Sequence, residues 1–360
     1  MAILKKIGFE GGMVDPCLFV RKSTLGIVYI ALCVDDNLLV GKPAAIDEVI
    51  NLMKEEGLVL KINDDLHHYL SCNIKFSSDR RKAWLGQPHL IANLLKKFGD
   101  KVMSFRNYKT PGTPGMHVVH PTEDSEKISS DDQLLFRSGV GMLLYLVKHS
   151  RPDIANAVRE LSKVLDGASP GTFKEMLRVI KYVLDTRMYG LKIEPTFVKG
   201  SPWELVLFCD SDYAGDPDSR RSVSGYIIYV CGVPVCWRSK AQRSVTLSST
   251  EAEYVAISEA VKELLFVIQV LEMMMIKVTF PIIVCVDNIG AIFMSGNITT
   301  TSRTKHVDIR YKYVNEYAED GVIKIIFVKS EDNNSDILTK NLGGELQSKH
   351  ASTMISKMPE

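Results

Sequence analysis

The last third of the chain predicts an α/β fold, a mixed five-stranded sheet with covering helices. Three observations carry this reading. Apolar runs of strand length recur from Leu205 onward, as LVLFCD, GYIIYVC, VPVCWR, IIVCVD and VIKIIFV. Helical periodicity separates the later runs, which gives the order β-β-β-α-β-α-β-α. Acidic residues stand at the ends of these elements, where sheets of this class place their sites.

The elements follow from local signals. Cys231-Gly232 is a tight turn joining the second and third strands. A helix is predicted from about Glu251 to Glu272, with Tyr254, Ile257, Val261, Leu264, Ile268 and Leu271 as its buried stripe. After IIVCVD come a short helix and a second one from Lys305 to Asp320, which Gly321 stops. Upstream, residues 1–110 read as mixed α/β. Gly26 to Val40 forms strand, turn, strand, and Pro43 to Glu56 a helix that Gly57 ends. Pro88 to Phe98 is a short amphipathic helix with Gly99 behind it. Residues 111–133 are rich in Pro, Gly, Ser and acid and read as a linker. Residues 134–200 are mainly helical, with helices near Leu134–Lys148, Pro152–Leu165 and Thr172–Thr186. The fourth unit spans 201–344, and residues 345–360 are a tail.

Composition narrows the function classes. The 360 residues are 46% hydrophobic and 24% charged, with a net charge of +1, so any nucleic-acid surface must be a local patch. The cysteines are scattered without a CxxC pair, which reads as reduced thiols in an intracellular protein. No apolar run is long enough to span a bilayer, and the N-terminus lacks a secretory apolar segment, so no membrane partner is expected.

Four acidic residues draw the eye. Asp210 ends LVLFCD, Asp287 ends IIVCVD, Glu253 lies in SSTEAEYVAI, and Asp336 lies in NNSDILTK. Taken singly, Asp210 and Asp287 read as ordinary turn residues and Asp336 as a helix cap. Ser248 with Glu251, and Thr250 with Glu253, both fit a capping box. Glu253, however, lies four residues before Ile257 on the edge of the buried stripe and faces the sheet. Four carboxylates on one unit can converge, and hard divalent cations relieve their repulsion. Two such cations can activate a water and stabilise the leaving oxygen of a phosphodiester, which points to a metal-dependent nuclease. Basic residues collect at the edges of the same unit: Arg220, Arg221, Arg238, Lys240, Arg303 and Lys305, with His306 among them. They suit phosphate-backbone contacts. A further acidic pair, Asp35-Asp36, sits in CVDDN between apolar flanks. Such a pair is either a solvated turn or a remnant of a polymerase metal site.

The ordered motifs GFEGGMVDPCLFVRK, VDDNLLVG, HHYLSCNIKF, QPHLIANLLKKFG, FRSGVGMLLYLVKHSRPDIANAVRELSK, CDSDYAGDPDSRRSVSGY, WRSKAQRSVTLSSTEAEY, VDNIGAI, RTKHVDIRY and SDILTK cover nearly the whole chain. Together they resemble the C-terminal part of a copia-type LTR-retrotransposon Pol polyprotein. The resemblance implies a partial reverse-transcriptase palm and thumb over 1–110, a helical connection over 134–200 and an RNase H-like domain over 201–344. It implies that Asp210, Glu253, Asp287 and Asp336 hold two Mg²⁺ ions, which Mn²⁺ can replace, and hydrolyse the RNA strand of an RNA–DNA hybrid. The strand GYIIYVC and the loop with Ser248 and Ser249 are expected to touch the hybrid. Asp35 and Asp36 match the polymerase aspartate pair, with Cys33 where the family usually has tyrosine. The chain starts after the strand that carries a third polymerase aspartate, so loss of polymerase activity is the expectation. Other parts of the polyprotein are expected partners, in a cytoplasmic particle or the nucleus. Two alternatives stand beside this reading: a non-catalytic nucleic-acid-binding remnant of a mobile element, and an integrase-like nuclease, against which the order of the four carboxylates and the SSTEAEY helix speak.

Overall fold

The computed structural model describes residues 2–359 except 35, 64–65, 123–124, 289 and 291–304; the side chains of 305–308 are also not described. The short helix expected after IIVCVD lies outside the described residues.

Residues 201–344 build the expected mixed sheet. Its strands are β9 (Leu205–Asp212), β10 (Val223–Val230), β11 (Val233–Ala241), β12 (Ile282–Val286) and β13 (Ile323–Phe327), in the order β11-β10-β9-β12-β13. The first three pair antiparallel, while β12 lies parallel to both β9 and β13. Cys231 and Gly232 both take positive φ, 49° and 78°. That is the twist a two-residue hairpin loop needs, and glycine supplies it at no steric cost. Helix α7 (Ser249–Met273) lies on the face that carries Leu205, Leu207 and Cys209. All six residues of its expected stripe are buried, and each contributes about 1.5–3 kcal/mol of burial. Helix α8 (Lys305–Glu319) docks on α7: the Tyr254 ring lies 3.6 Å from that of Tyr311, and its hydroxyl donates to Asn315 Oδ1 at 3.0 Å.

The chain before this unit forms a four-stranded sheet, most of a further five-stranded sheet and a helical block. In the first sheet, β1 (Glu10–Gly11), β2 (Leu18–Ser23), β3 (Gly26–Cys33) and β4 (Asp36–Gly41) pair in sequence order. Helices α1 (Ala2–Lys6) and α2 (Pro43–Glu55) cover it through Leu4, Val49 and Met53. Helices α3 (Pro88–Val102), α4 (Ser130–His149), α5 (Ala155–Ser162) and α6 (Pro170–Asp185) share one apolar core. Gly99 does not stop α3 as expected. The apolar stripe continues through Phe98 to Val102, both buried, and this packing outweighs the roughly 1 kcal/mol propensity cost of glycine. The expected helix from Pro152 is a 3₁₀ turn, Pro152–Ile154, running into α5. That turn carries a fully buried ion pair, in which Arg151 donates to both Asp153 oxygens at 2.8 and 2.9 Å.

Two elements cross the boundaries drawn from the sequence. Strand β8 (Tyr189–Ile193), placed in the helical connection, pairs with β7 (Ala83–Gly86) of the first unit. The tail carries regular structure. Residues 344–354 form α9 (Gly344–Met354), and β14 (Ile355–Lys357) pairs with β8. The resulting sheet runs β14-β8-β7-β6-β5, where β5 is His68–Tyr69 and β6 Cys72–Phe76. Strands this short show no alternation that a sequence pattern can reveal; their pairing is set by partners far away in the chain.

The face of the large sheet opposite α7 is covered by these late elements. Ile227, Tyr229, Ile337, Leu338, Met354 and Ile355 form one cluster there with Ala155 of α5. Met354→Ala should therefore lower stability by about 2–5 kcal/mol in chemical denaturation. Met103→Ala, at a position 76% exposed, should stay within about 0.5 kcal/mol of the parent. Equal effects would contradict the placement of the tail.

Candidate metal centre

The two faces of β9 build the site. Odd positions up to Cys209 face α7, and Ser211 continues that row. Even positions face the late segment: Phe208 joins the rear cluster, and Asp210 follows it. Asp210 is 1% exposed and paired in register with Gly225 of β10. A Cβ at Gly225 would lie 2.6 Å from Thr339 Cγ2 and 3.0 Å from Leu338 Cβ. Glycine is thus what lets the 336–339 turn lie directly over the strand. Asn333 fastens the start of the same segment, donating to the Cys209 carbonyl at 3.0 Å and accepting from Ser335 Oγ at 2.6 Å.

Helix α7 brings in Glu253. Its first turn is capped from both sides: Ser248 Oγ accepts from the Glu251 N–H at 3.1 Å, and Glu251 reaches back past the cap to accept from the Leu247 N–H at 2.7 Å, a variant of the capping box. Buried Gln242 ties the end of β11 to this turn, donating to Ser224 Oγ at 3.0 Å and to the Ala252 carbonyl at 2.9 Å. Glu251 thus caps the helix, and Glu253, 5% exposed, points at β9. Its Oε1 accepts from Ser211 N–H and Oγ at 3.2 and 3.1 Å. Its Oε2 is buried without a hydrogen-bond partner among the described residues.

Asp287 follows β12 on the neighbouring strand and accepts from Ser330 Oγ at 2.6 Å. Asp210, Glu253 and Asp287 each offer an oxygen, and these three atoms lie within 4.8 Å of one another. Asp336 stands on the other side of Asp210. Lys340 connects the two, with its Nζ 2.6 Å from Asp336 Oδ1 and 3.4 Å from Asp210 Oδ2. Thr339 Oγ1 also donates to Asp210 Oδ2.

The electrostatics follow from this crowding. Burial pushes the Asp210 carboxyl up to about 6; Lys340 works against that shift, while Asp336 and Asp287 add to it. Burial, and then Asp210 and Asp287, push the Glu253 carboxyl well above its usual range. Burial disfavours the charged form of Lys340, but Asp210 and Asp336 outweigh it and hold the ammonium protonated. An all-oxygen donor set with a buried, unpartnered carboxylate oxygen fits a hard divalent cation. Asp210, Glu253 and Asp287 would hold such an ion, and Asp336 is not part of that group of three.

The basic residues divide. Arg220 and Arg221 are exposed in the β9–β10 loop, and Ser249 is exposed at the start of α7. Ser248 is exposed too, although its hydroxyl is used by the cap. Lys240 is half-buried on β11, opposite Ser224. Arg238 is exposed as well, and it lies across from Tyr226, whose hydroxyl bonds it and donates to Glu263 at 3.3 Å. Asp36 opens β4, exposed and in a different sheet from the acid cluster. Asp35, Arg303 and the side chains of Lys305 and His306 lie outside the described residues. Lys340, Thr339, Ser211, Gln242, Asn333 and Gly225 had no assigned role in the sequence. Only the Asp336–Lys340 spacing, one helical turn, gave a signal. Asp212, on the same strand face as Asp210, was also missed; its carboxyl is raised by burial and one of its oxygens is unpartnered.

The sheet order gives residues 201–344 a ribonuclease H-like fold. No protein-family model matches the chain. The retrovirus-related Pol polyprotein from transposon RE1 of Arabidopsis thaliana is 30% identical over 348 residues, which is 94% of this chain and 22% of that protein. The putative transposon Ty5-1 protein of Saccharomyces cerevisiae is 32% identical over 265 residues, covering 72% of this chain and 82% of that protein. The chain belongs to the transposon-encoded, retrovirus-related Pol family, and spans under a quarter of the length of its RE1 relative. Among solved structures, LC11-RNase H1 from compost covers 41% of this chain and 96% of its own at 17% identity and a TM-score of 0.30, too loose an overlap to add to the strand order.

The Asp210 shift gives a pH test. Its carboxyl rises from an ordinary 3.8 to about 6 on folding, so the contribution of the protonated form is full below pH 4 and is lost as pH rises through 6. In chelator, Asp210→Asn keeps an uncharged group throughout. Its thermal midpoint relative to the parent should therefore climb by several degrees between pH 4 and pH 7 and then level off. A gap that is flat or shrinks over that range would contradict the assignment.

Proposed function

We propose that this chain is a reverse transcriptase–ribonuclease H portion of a copia-type Pol protein, and that residues 201–344 hydrolyse the RNA strand of an RNA–DNA hybrid. One observation carries the reading. Three carboxylate oxygens from two strands and a helix converge within 4.8 Å, and Glu253 aims a second, unpartnered oxygen into buried space. Without a metal ion the cluster relies on protonation of its raised carboxyls and on the Lys340 ammonium for compensation.

Each residue has a separable part. Asp210 is shared between the two halves of the site and is fixed by Thr339. Ser211 turns Glu253 so that one oxygen is used and the other is free. Ser330 holds Asp287 at the open side. When bound, Mg²⁺ or Mn²⁺ ions supply the Lewis acidity and the activated water that a phosphodiester needs. Arg220, Arg221 and Lys240 border the β9–β10 loop and the end of β11, where they can contact phosphates. Selectivity for RNA would come from 2′-hydroxyl contacts across the shallow minor groove.

The test is cleavage of a labelled hybrid by the full chain. We expect scission of the RNA strand with Mg²⁺ or Mn²⁺ and none in chelator, with single-stranded RNA and duplex DNA spared. Asp210→Asn should abolish cleavage, a loss of at least about 10³-fold, comparable to removing a main source of charge stabilisation, while hybrid binding persists. Glu251→Gln should stay near parental activity and Glu253→Gln should not. Folded protein that leaves the hybrid intact across metal concentrations would overturn the hydrolase reading. The reverse ranking of the two glutamates would overturn the roles assigned on α7.

A further inference from the structure

We propose that Lys340 is an internal counter-ion that occupies the place of a divalent cation between Asp210 and Asp336, and that the second metal ion must displace it. The proposal rests on the hydrolase reading above and specifies how that site is loaded.

The two halves of the acid cluster are unequal. On one side of Asp210, the Glu253 and Asp287 oxygens approach it within 4.8 Å, and Glu253 Oε2 has no hydrogen-bond partner among the described residues. On the other side, the chain supplies its own cation. Lys340 Nζ lies 2.6 Å from Asp336 Oδ1 and 3.4 Å from Asp210 Oδ2, a bridging position between two carboxylates that are 5% and 1% exposed. An ammonium is a compact point charge that donates and never accepts, so it stabilises the same oxygens a hard metal ion would take. The same site cannot hold both.

The lysine is also built to leave. Its side chain is 38% exposed, on a four-carbon stem rooted just past the 336–338 turn. That stem can swing toward solvent while its backbone stays where Gly225 and Asn333 hold the segment. The first ion can therefore enter without rearrangement, whereas the second meets competition. When the ions depart, the tethered ammonium returns and keeps Asp210 and Asp336 from repelling each other.

Calorimetric titration of Mg²⁺ and Mn²⁺ into the full chain, without nucleic acid, tests this. The parent should show a tighter event and a weaker one. In Lys340→Gln the weaker event should tighten about ten-fold, the scale on which a neighbouring charge shifts such an equilibrium, while the thermal midpoint in chelator falls. Lys340→Arg should restore both the midpoint and the weak second event. A merely structural lysine would instead lower midpoint and metal affinity together, and that result overturns the proposal. So does a second event unchanged in Lys340→Gln with the first intact, which leaves the hydrolase reading standing. No binding by either protein overturns both. A measurement on the parent alone guards against a variant that does not fold: reductive methylation followed by peptide mapping should find Lys340 protected in chelator and reactive at saturating Mg²⁺. Equal reactivity in the two conditions overturns the displacement.

Discussion

Mutual repulsion among buried carboxylates is the constraint around which the rest of this unit is arranged. Three acids within 4.8 Å of one another, two of them almost fully buried, are unfavourable unless a cation or a proton compensates. The fold imposes the approach, since β9 and β12 are adjacent parallel strands and α7 lies on one face of β9. Asp210 leaves the other face, so the site straddles the sheet at the end of its central strand.

That geometry needs support from outside the five strands. The rear face is held by the late segment and by the helical block together. Trp237 Nε1 of β11 donates to the Val147 carbonyl of α4 at 2.8 Å, and Arg159 of α5 reaches Ser239 Oγ at 3.1 Å. Gln347 of α9 donates to the Asp153 carbonyl at 3.0 Å, beside the buried Arg151 pair. The Asp336 turn is thereby pressed between the sheet and α5. A change in the connection helices can reach the acid cluster through this packing without touching an acid.

Much of the large sheet was legible in the sequence because its strands are long and apolar and its turns carry glycine where φ is positive. The α7 stripe was legible for the same reason, and so was the burial of Glu253, which lies four residues before Ile257 on the edge of that stripe. What the sequence hid was non-local. Residues 355–357 form a strand only because Tyr189–Ile193 offers an edge. Gly99 stays helical because its neighbours are buried. The bridge from Lys340 to Asp210 joins residues from the two ends of the unit, and no periodicity reports a charge delivered across that distance. Gly225 looked like any strand glycine; its meaning lies in the turn that passes above it.

The most direct test of the central claim is a crystal structure of the chain grown in Mn²⁺ with anomalous data. The account predicts an anomalous peak at coordination distance from Asp210, Glu253 and Asp287 together, with Glu253 Oε2 among the ligands. A cluster that stays metal-free at millimolar Mn²⁺, or a peak bound elsewhere while Glu253 Oε2 stays unpartnered, would contradict it.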